Sequence, residues 1–155
     1  MGPIARKFQL KSIQWQLRNL VKNGNKIIYG KKRLHRKGYY FEPTIIENLK
    51  EKKIGLTEPI FGPVILLKKF SSVNKLVREL TNSEYGLNAS IWTRNINKAQ
   101  KIADKLSFGS ININSFGSTK IGFPWGGNKK SGIGRLYTSE SILEFTNPKH
   151  ISINN

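Results

Sequence analysis

Apolar residues recur at intervals of three and four over residues 8 to 22, where Ile13, Leu17, Leu20 and Val21 share one face and Asn23-Gly24 follows. This spacing predicts an amphipathic helix with a glycine stop. A short β-prone run at 26 to 29 comes next. It is followed by Gly30-Lys-Lys-Arg-Leu-His-Arg-Lys-Gly38, which reads as a solvated basic turn in preference to a phosphate-binding or nuclear-import patch. Tyr39, Tyr40 and Phe41 form a second β-prone run that ends at Pro43. Further on the pattern alternates. An apolar strand is expected over 64 to 70, and a helix capped by Ser71 or Ser72 with Val73, Leu76, Val77 and Leu80 inward. A strand over 89 to 93 precedes a helix over 97 to 106, with Ala99, Ile102, Ala103 and Leu106 inward, and a strand over 110 to 114 closes the run. Strands joined by helices of this length predict an α/β protein, a parallel sheet of βαβ units with right-handed crossovers.

Beyond Asn114 the texture changes. Gly117, Gly122, Gly126, Gly127, Gly132 and Gly134 crowd one long loop, and loops this long and glycine-dense inside a domain generally serve a function. A short helix over 139 to 145 and a last strand over 150 to 153 are expected. No repeat, low-complexity tail or linker breaks the chain.

Composition narrows the chemistry. The 155 residues contain no cysteine, which excludes disulfides, thiolate metal sites and thiol catalysis within them. His35 and His150 are too few and too far apart to indicate a metal centre. No apolar run reaches the roughly 20 residues of a membrane span, and the start carries no signal core, so the cytoplasm is the default location. Trp15, Trp92 and Trp125 would each bury a large surface if they faced inward. The net charge is +18, from 27 Lys and Arg against 9 Asp and Glu, and no acid precedes Glu42. Such an excess raises nucleic-acid binding as a reading. The charge is dispersed, however, and Lys outnumbers Arg 20 to 7 among abundant Ile and Asn, so compositional bias accounts for it better.

Six segments, in order, carry a resemblance. They are Met1-Gly-Pro-Ile-Ala-Arg6, Gly38-Tyr-Tyr-Phe-Glu-Pro-Thr44, Glu58-Pro-Ile-Phe-Gly-Pro-Val64, Asn82-Ser-Glu-Tyr-Gly-Leu87 with Trp92-Thr93 beyond it, Pro124-Trp-Gly-Gly-Asn-Lys-Lys-Ser-Gly-Ile-Gly-Arg135, and Glu144-Phe-Thr-Asn-Pro-Lys149. Together they resemble the C-terminal part of an aldehyde dehydrogenase subunit. The first segment is also reminiscent of succinate-semialdehyde dehydrogenases.

The resemblance implies an incomplete catalytic domain over 1 to 137, with a C-terminal helix and oligomerisation strand over 138 to 155. In such enzymes a cysteine thiolate attacks an aldehyde, hydride passes to NAD or NADP, and a glutamate activates the hydrolytic water. Cysteine, glutamate and cofactor core all precede the matching region, so no catalytic residue is assigned and no cofactor is expected for this chain alone. The resemblance places Phe61 beside the nicotinamide and Trp125 on the wall of the aldehyde pocket. Residues 115 to 122, with Ser115 and Phe116, correspond to the loop that varies with aldehyde specificity. The glutamate that holds the nicotinamide ribose falls at Pro59, with Glu58 one place earlier; a one-residue shift on extended chain reverses the side-chain direction. Leu136 stands where many relatives have glutamate. A truncated or split enzyme, inactive as an isolated chain, is therefore expected, prone to aggregation where the missing domain leaves apolar faces bare; the alternatives are a non-catalytic interaction module that pairs with itself or with a companion chain, and a basic nucleic-acid-binding protein.

Overall fold

Helix α1 (Lys7–Lys22) buries Leu10, Ile13, Leu17 and Leu20, a 3-4-3 spacing that sets one apolar stripe. Each contributes roughly 1.5–3 kcal/mol relative to an exposed position. Val21, expected on this face, is instead 45% exposed; it lies at the edge of the stripe in the last turn of the helix. The helix ends as its sequence foretells. The Gly24 N–H donates to the Val21 carbonyl, Asn25 to Leu20, and Gly24 takes φ +87°. Its first turn has no acid and no side-chain cap, so the helix rests on packing and not on its ends.

The computed structural model describes residues 1–34, 36–47, 58–117 and 120–154. His35 falls outside them, as do 118, 119 and 155 from the two C-terminal segments singled out above. The chain forms two compact units, Met1–Ser72 and Val73–Asn155.

In the first unit, α1 packs with a sheet of order β1-β2-β3: β1 (Lys26–Tyr29), β2 (Thr44–Glu47) and β3 (Val64–Leu67). β1 and β2 run antiparallel with an irregularity between Ile27 and Tyr29; β2 and β3 run parallel, Thr44 opposite Val64. Phe41 and Ile46 join the helix stripe to make the core. The strand expected at 39 to 41 is absent. Phe41 makes only a bridge to Arg33, and the regular strand begins after Pro43, where Thr-Ile-Ile supplies three β-branched residues in a row. Thr44 is buried with its polar atoms used: its hydroxyl accepts from the Lys31 N–H and donates to the Glu42 carbonyl, and its own N–H donates to Pro63.

The second unit contains α2 (Val73–Thr81), β4 (Tyr85–Gly86), β5 (Asn88–Ile91), α3 (Ile96–Ala103), β6 (Ser110–Ile113), β7 (Asn128–Lys129) and α4 (Glu140–Leu143). The β5–α3–β6 stretch is one of the two expected βαβ units, its strands parallel with Asn88 opposite Ser110; the unit expected to run from β3 through α2 to β5 does not form among the described residues, since β3 pairs with β2 and β5 with β6. Asn95 starts α3 by accepting the Lys98 N–H at 2.8 Å, and Ala99 and Leu106 are buried. The glycine-dense loop is not wholly irregular, since β7 within it pairs antiparallel with β4. Residues 147–154 form neither helix nor strand, so the strand expected at 150 to 153 does not form; a strand needs a hydrogen-bonded neighbour, and 150 to 153 pair with none among the described residues. Trp15 and Trp92 are both more than half exposed. Among the described residues no helix is long and apolar enough to cross a membrane.

Gly62 approaches α1 so closely that a Cβ there would lie 2.3 Å from Ile13 Cδ1. Gly62→Ala is expected to cost about 1–3 kcal/mol by overpacking. The penalty is expected to shrink when Ile13→Val removes the offending methyl. Urea unfolding of the two single variants and the double variant measures this; additivity within about 0.3–0.5 kcal/mol would exclude the contact.

Candidate functional site

The Glu58 to Val64 run lies along α1 in the first unit. Gln9 Nε2 donates to the Phe61 carbonyl at 2.8 Å, Gln16 Nε2 to the Pro59 carbonyl at 3.4 Å, and Gly62 rests on Ile13. Two side chains about two helical turns apart thus hold the backbone from one side. Phe61 is left 74% exposed and offers a free ring face. Glu58 is exposed, and so is Pro59. The donor set fits a nicotinamide nucleotide only in part. An exposed aromatic ring suits a flat heterocycle, whereas Pro59 has no side-chain acceptor for a ribose hydroxyl.

The second unit supplies the other candidates, in the Pro124 to Arg135 loop. Its geometry comes from three side chains that sequence reasoning passed over. Lys129, itself at φ +57°, sends its ammonium to the Thr81 and Ser83 carbonyls at 2.6 and 2.7 Å, where α2 ends with unsatisfied acceptors. Ser131 Oγ accepts the Gly86 N–H at 2.9 Å. Arg135 donates to the carbonyls of Gly127 and Gly134 and to Asn128 Oδ1, clamping the loop from within. Glu144 then accepts the Arg135 N–H, and a Cβ on Gly134 would fall 2.4 Å from its carboxylate. The available signal was their place in the Lys-x-Ser-Gly-x-Gly-Arg run, which ties it to the Asn82 to Leu87 segment. Lys130 bonds Glu84 at 2.8 Å, and that hydrogen bond, with the attraction of the carboxylate, holds the Lys130 ammonium above its ordinary range.

Gly109 decides how near this loop comes to β6: a Cβ there would sit 1.6 Å from the Gly126 carbonyl oxygen. Beside this contact lies a cavity of about 440 Å³ bounded by Ser110, Asn112, Ser115, Lys120, Phe123 and Trp125, among others. Ser115 and Trp125 therefore meet at one place. Trp125 is half-buried, bridged to Leu136 and set edge-on to Tyr137 at 6.2 Å. Phe116 is not part of that wall; it is 81% exposed and stacks edge-on against Trp92 at 5.3 Å. No thiol, carboxylate or imidazole lines the cavity among the described residues. The wall can shape and hydrogen-bond a ligand; its hydroxyls and the Lys120 amine are not joined by the thiolate or carboxylate that this chemistry uses.

Lys129→Met is expected to destabilise this unit by about 1 kcal/mol or more, because two carbonyls lose a charged donor. Lys130→Met removes only an exposed pair and is expected to cost measurably less. Chemical denaturation ranks the two variants, and an equal or inverted order would show that Lys129 does not act as the cap. Gly109→Ala has backbone in its path, and the loop is expected to open. Faster tryptic cleavage after Lys129 and Lys130 reports this.

The model of the aldehyde dehydrogenase family matches residues 1–151. The chain is 32% identical over 154 residues to the cytosolic 10-formyltetrahydrofolate dehydrogenase of Xenopus laevis, across 98% of this chain and 17% of that protein. A point mutant of betaine aldehyde dehydrogenase from Staphylococcus aureus, solved in complex with NAD+, is similar with a TM-score of 0.89 and 35% identity, over 97% of this chain and 32% of that one. Succinic semialdehyde dehydrogenase from Streptococcus pyogenes, solved with NADP+ as cofactor, gives 0.87 and 29%, over 99% and 34%. The chain thus spans between 17% and 34% of the length of these relatives. With ordered motifs, a partial α/β fold and these likenesses in agreement, the chain belongs to the aldehyde dehydrogenase family.

Proposed function

We propose that these residues form the C-terminal part of the catalytic domain of an NAD- or NADP-dependent aldehyde dehydrogenase, which oxidises an aldehyde to a carboxylic acid, and that the chain by itself is inactive. The observation that carries the second half is the absence of any cysteine in 155 residues, since the reaction class needs a thiolate. The first half is supported by the match over 1–151 and by the meeting of Ser115 and Trp125 at one cavity. In this reading residues 1 to 137 belong to the catalytic domain and 138 to 155 to an oligomerisation element. Phe61 borders the nicotinamide. Glu58 is the nearest carboxylate to the ribose, displaced by Pro59. Ser115 and Trp125 face the aldehyde, with Phe116 further out on the same loop. The relatives' NAD+ and NADP+ complexes support either cofactor in an intact enzyme. A cytoplasmic location goes with this reading.

A partner is part of the proposal. Ile151 and Ile153 are 71% and 83% exposed on a segment without a strand partner, which favours pairing with a second copy or with a companion chain that carries the nucleophile.

The purified chain, given aldehydes with NAD+ or NADP+, is expected to produce no reduced cofactor; turnover would refute the inactivity. The site roles are read in a chimera in which the chain replaces the matching portion of a full-length relative. There Trp125→Ala is expected to lower kcat/KM for the aldehyde by about tenfold with little change in KM for the cofactor. Pro59→Glu is expected to lower the cofactor KM by about tenfold, the worth of one charge-assisted hydrogen bond. A chimera indifferent to both substitutions would remove Trp125 and residue 59 from the site.

A further inference from the structure

Apart from the residues assigned to cofactor or aldehyde, the first unit has a cavity of about 430 Å³ between the second half of α1 and the β1 edge. Its floor is apolar: Leu17 and Phe41, both 5% exposed, with Ile27 beside them and Val21 at the lip. Its rim is cationic: Arg18 and Lys22 from the helix, and Lys31 from the opposite side, all exposed. Arg18 and Lys22 lie four residues apart, so their charges project from adjacent turns of the same face as Val21. Lys31 reaches the rim because two successive residues turn left-handed, Gly30 at φ +78° and Lys31 at +81°. A Cβ on Gly30 would overlap the Pro43 carbonyl at 2.0 Å, and the Lys31 N–H is fastened to Thr44 Oγ1 at 2.9 Å. A lysine in this conformation costs of order 1 kcal/mol, so its placement is held by the surrounding fold. Among the described residues none of the three cations has an acidic partner, and no carboxylate lines the cavity. The sequence around it agrees: residues 1 to 41 hold 11 Lys and Arg and no acid.

An apolar floor with three uncompensated cations at its mouth complements one kind of small molecule, an unbranched hydrocarbon tail ending in a single anionic group. We propose that this cavity binds a medium-chain fatty carboxylate, tail against Leu17, Ile27 and Phe41 and headgroup among Arg18, Lys22 and Lys31. The volume lies in the range of ordinary small-molecule sites, roughly 300–1,000 Å³. The site is independent of the dehydrogenase reading, since it uses none of the residues assigned to cofactor or aldehyde.

The test is equilibrium dialysis of the 155-residue chain with radiolabelled decanoate. Decanoate is expected to bind and to protect Lys22 and Lys31 from acetylation by an amine-reactive reagent, with Lys98 and Lys101 of α3 as unprotected references in the same sample. Arg18→Glu with Lys22→Glu lies wholly on exposed positions and is expected to keep the circular dichroism spectrum while weakening decanoate at least about tenfold. Lys98→Glu with Lys101→Glu is expected to leave binding unchanged. Equal binding of decanol or decylamine would overturn the role of the cations. Equal binding of acetate would overturn the role of the floor. Protection spread evenly over the lysines, or no binding, would overturn the site.

Discussion

The carbonyl of Gly126 occupies the space in which any side chain on residue 109 would begin, and the second unit is organised around that approach. With only hydrogen at 109, the loop after β6 can fold down on the strand, so that Trp125 and Ser115 bound the same cavity. The first unit repeats the device. Gly62 admits Ile13 of α1, and Gly30 admits the Pro43 carbonyl, which fixes the turn into β2. In each case a segment of extended or looping chain is brought within a hydrogen atom's reach of its neighbour, and glycine is the residue that makes the distance attainable. Polar side chains then fasten what glycine allows: Gln9 at Phe61, Ser131 at Gly86, Arg135 at the loop's own carbonyls.

How much of this was legible depended on whether the information was local. The helix at 7 to 22 and its stop were readable because a 3-4-3 stripe and Asn-Gly need no distant partner. The β5–α3–β6 unit was readable for the same reason, since the period changes from two to 3.6 and back within 26 residues. The strand at 39 to 41 was misplaced because aromatic residues carry β propensity anywhere they can pack, and Phe41 packs as a core residue without joining a ladder. Val21 has the direction of the stripe but falls in the last turn of the helix, where it is left 45% exposed. The strand at 150 to 153 depends on an edge that the described chain does not supply.

The candidate site divided along the same line. Phe61 and Trp125 could be named from their motifs, but the parts of Lys129, Ser131 and Arg135 could not, because Lys129 and Ser131 act on backbone 45 to 48 residues away in sequence and Arg135 on carbonyls of its own loop. Phe116 shows a further limit: a motif names a residue but not the direction of its ring, which here packs edge-on against Trp92. The excess of positive charge, weak as evidence for any polyanion, became specific only where the fold set three cations around an apolar floor.

The segment after α4 has a physical consequence for how the chain behaves in bulk. Ile151 and Ile153 alternate with polar residues, so that in an extended conformation they would project from one side, next to peptide groups that no ladder occupies. Such a stretch is the raw material of cross-β stacking, in which identical segments template one another without limit. Pro148 and Lys149 immediately precede it. The first withholds a donor and the second places a charge that would repel its own copies in register, so the sequence carries its own gatekeepers against fibril growth.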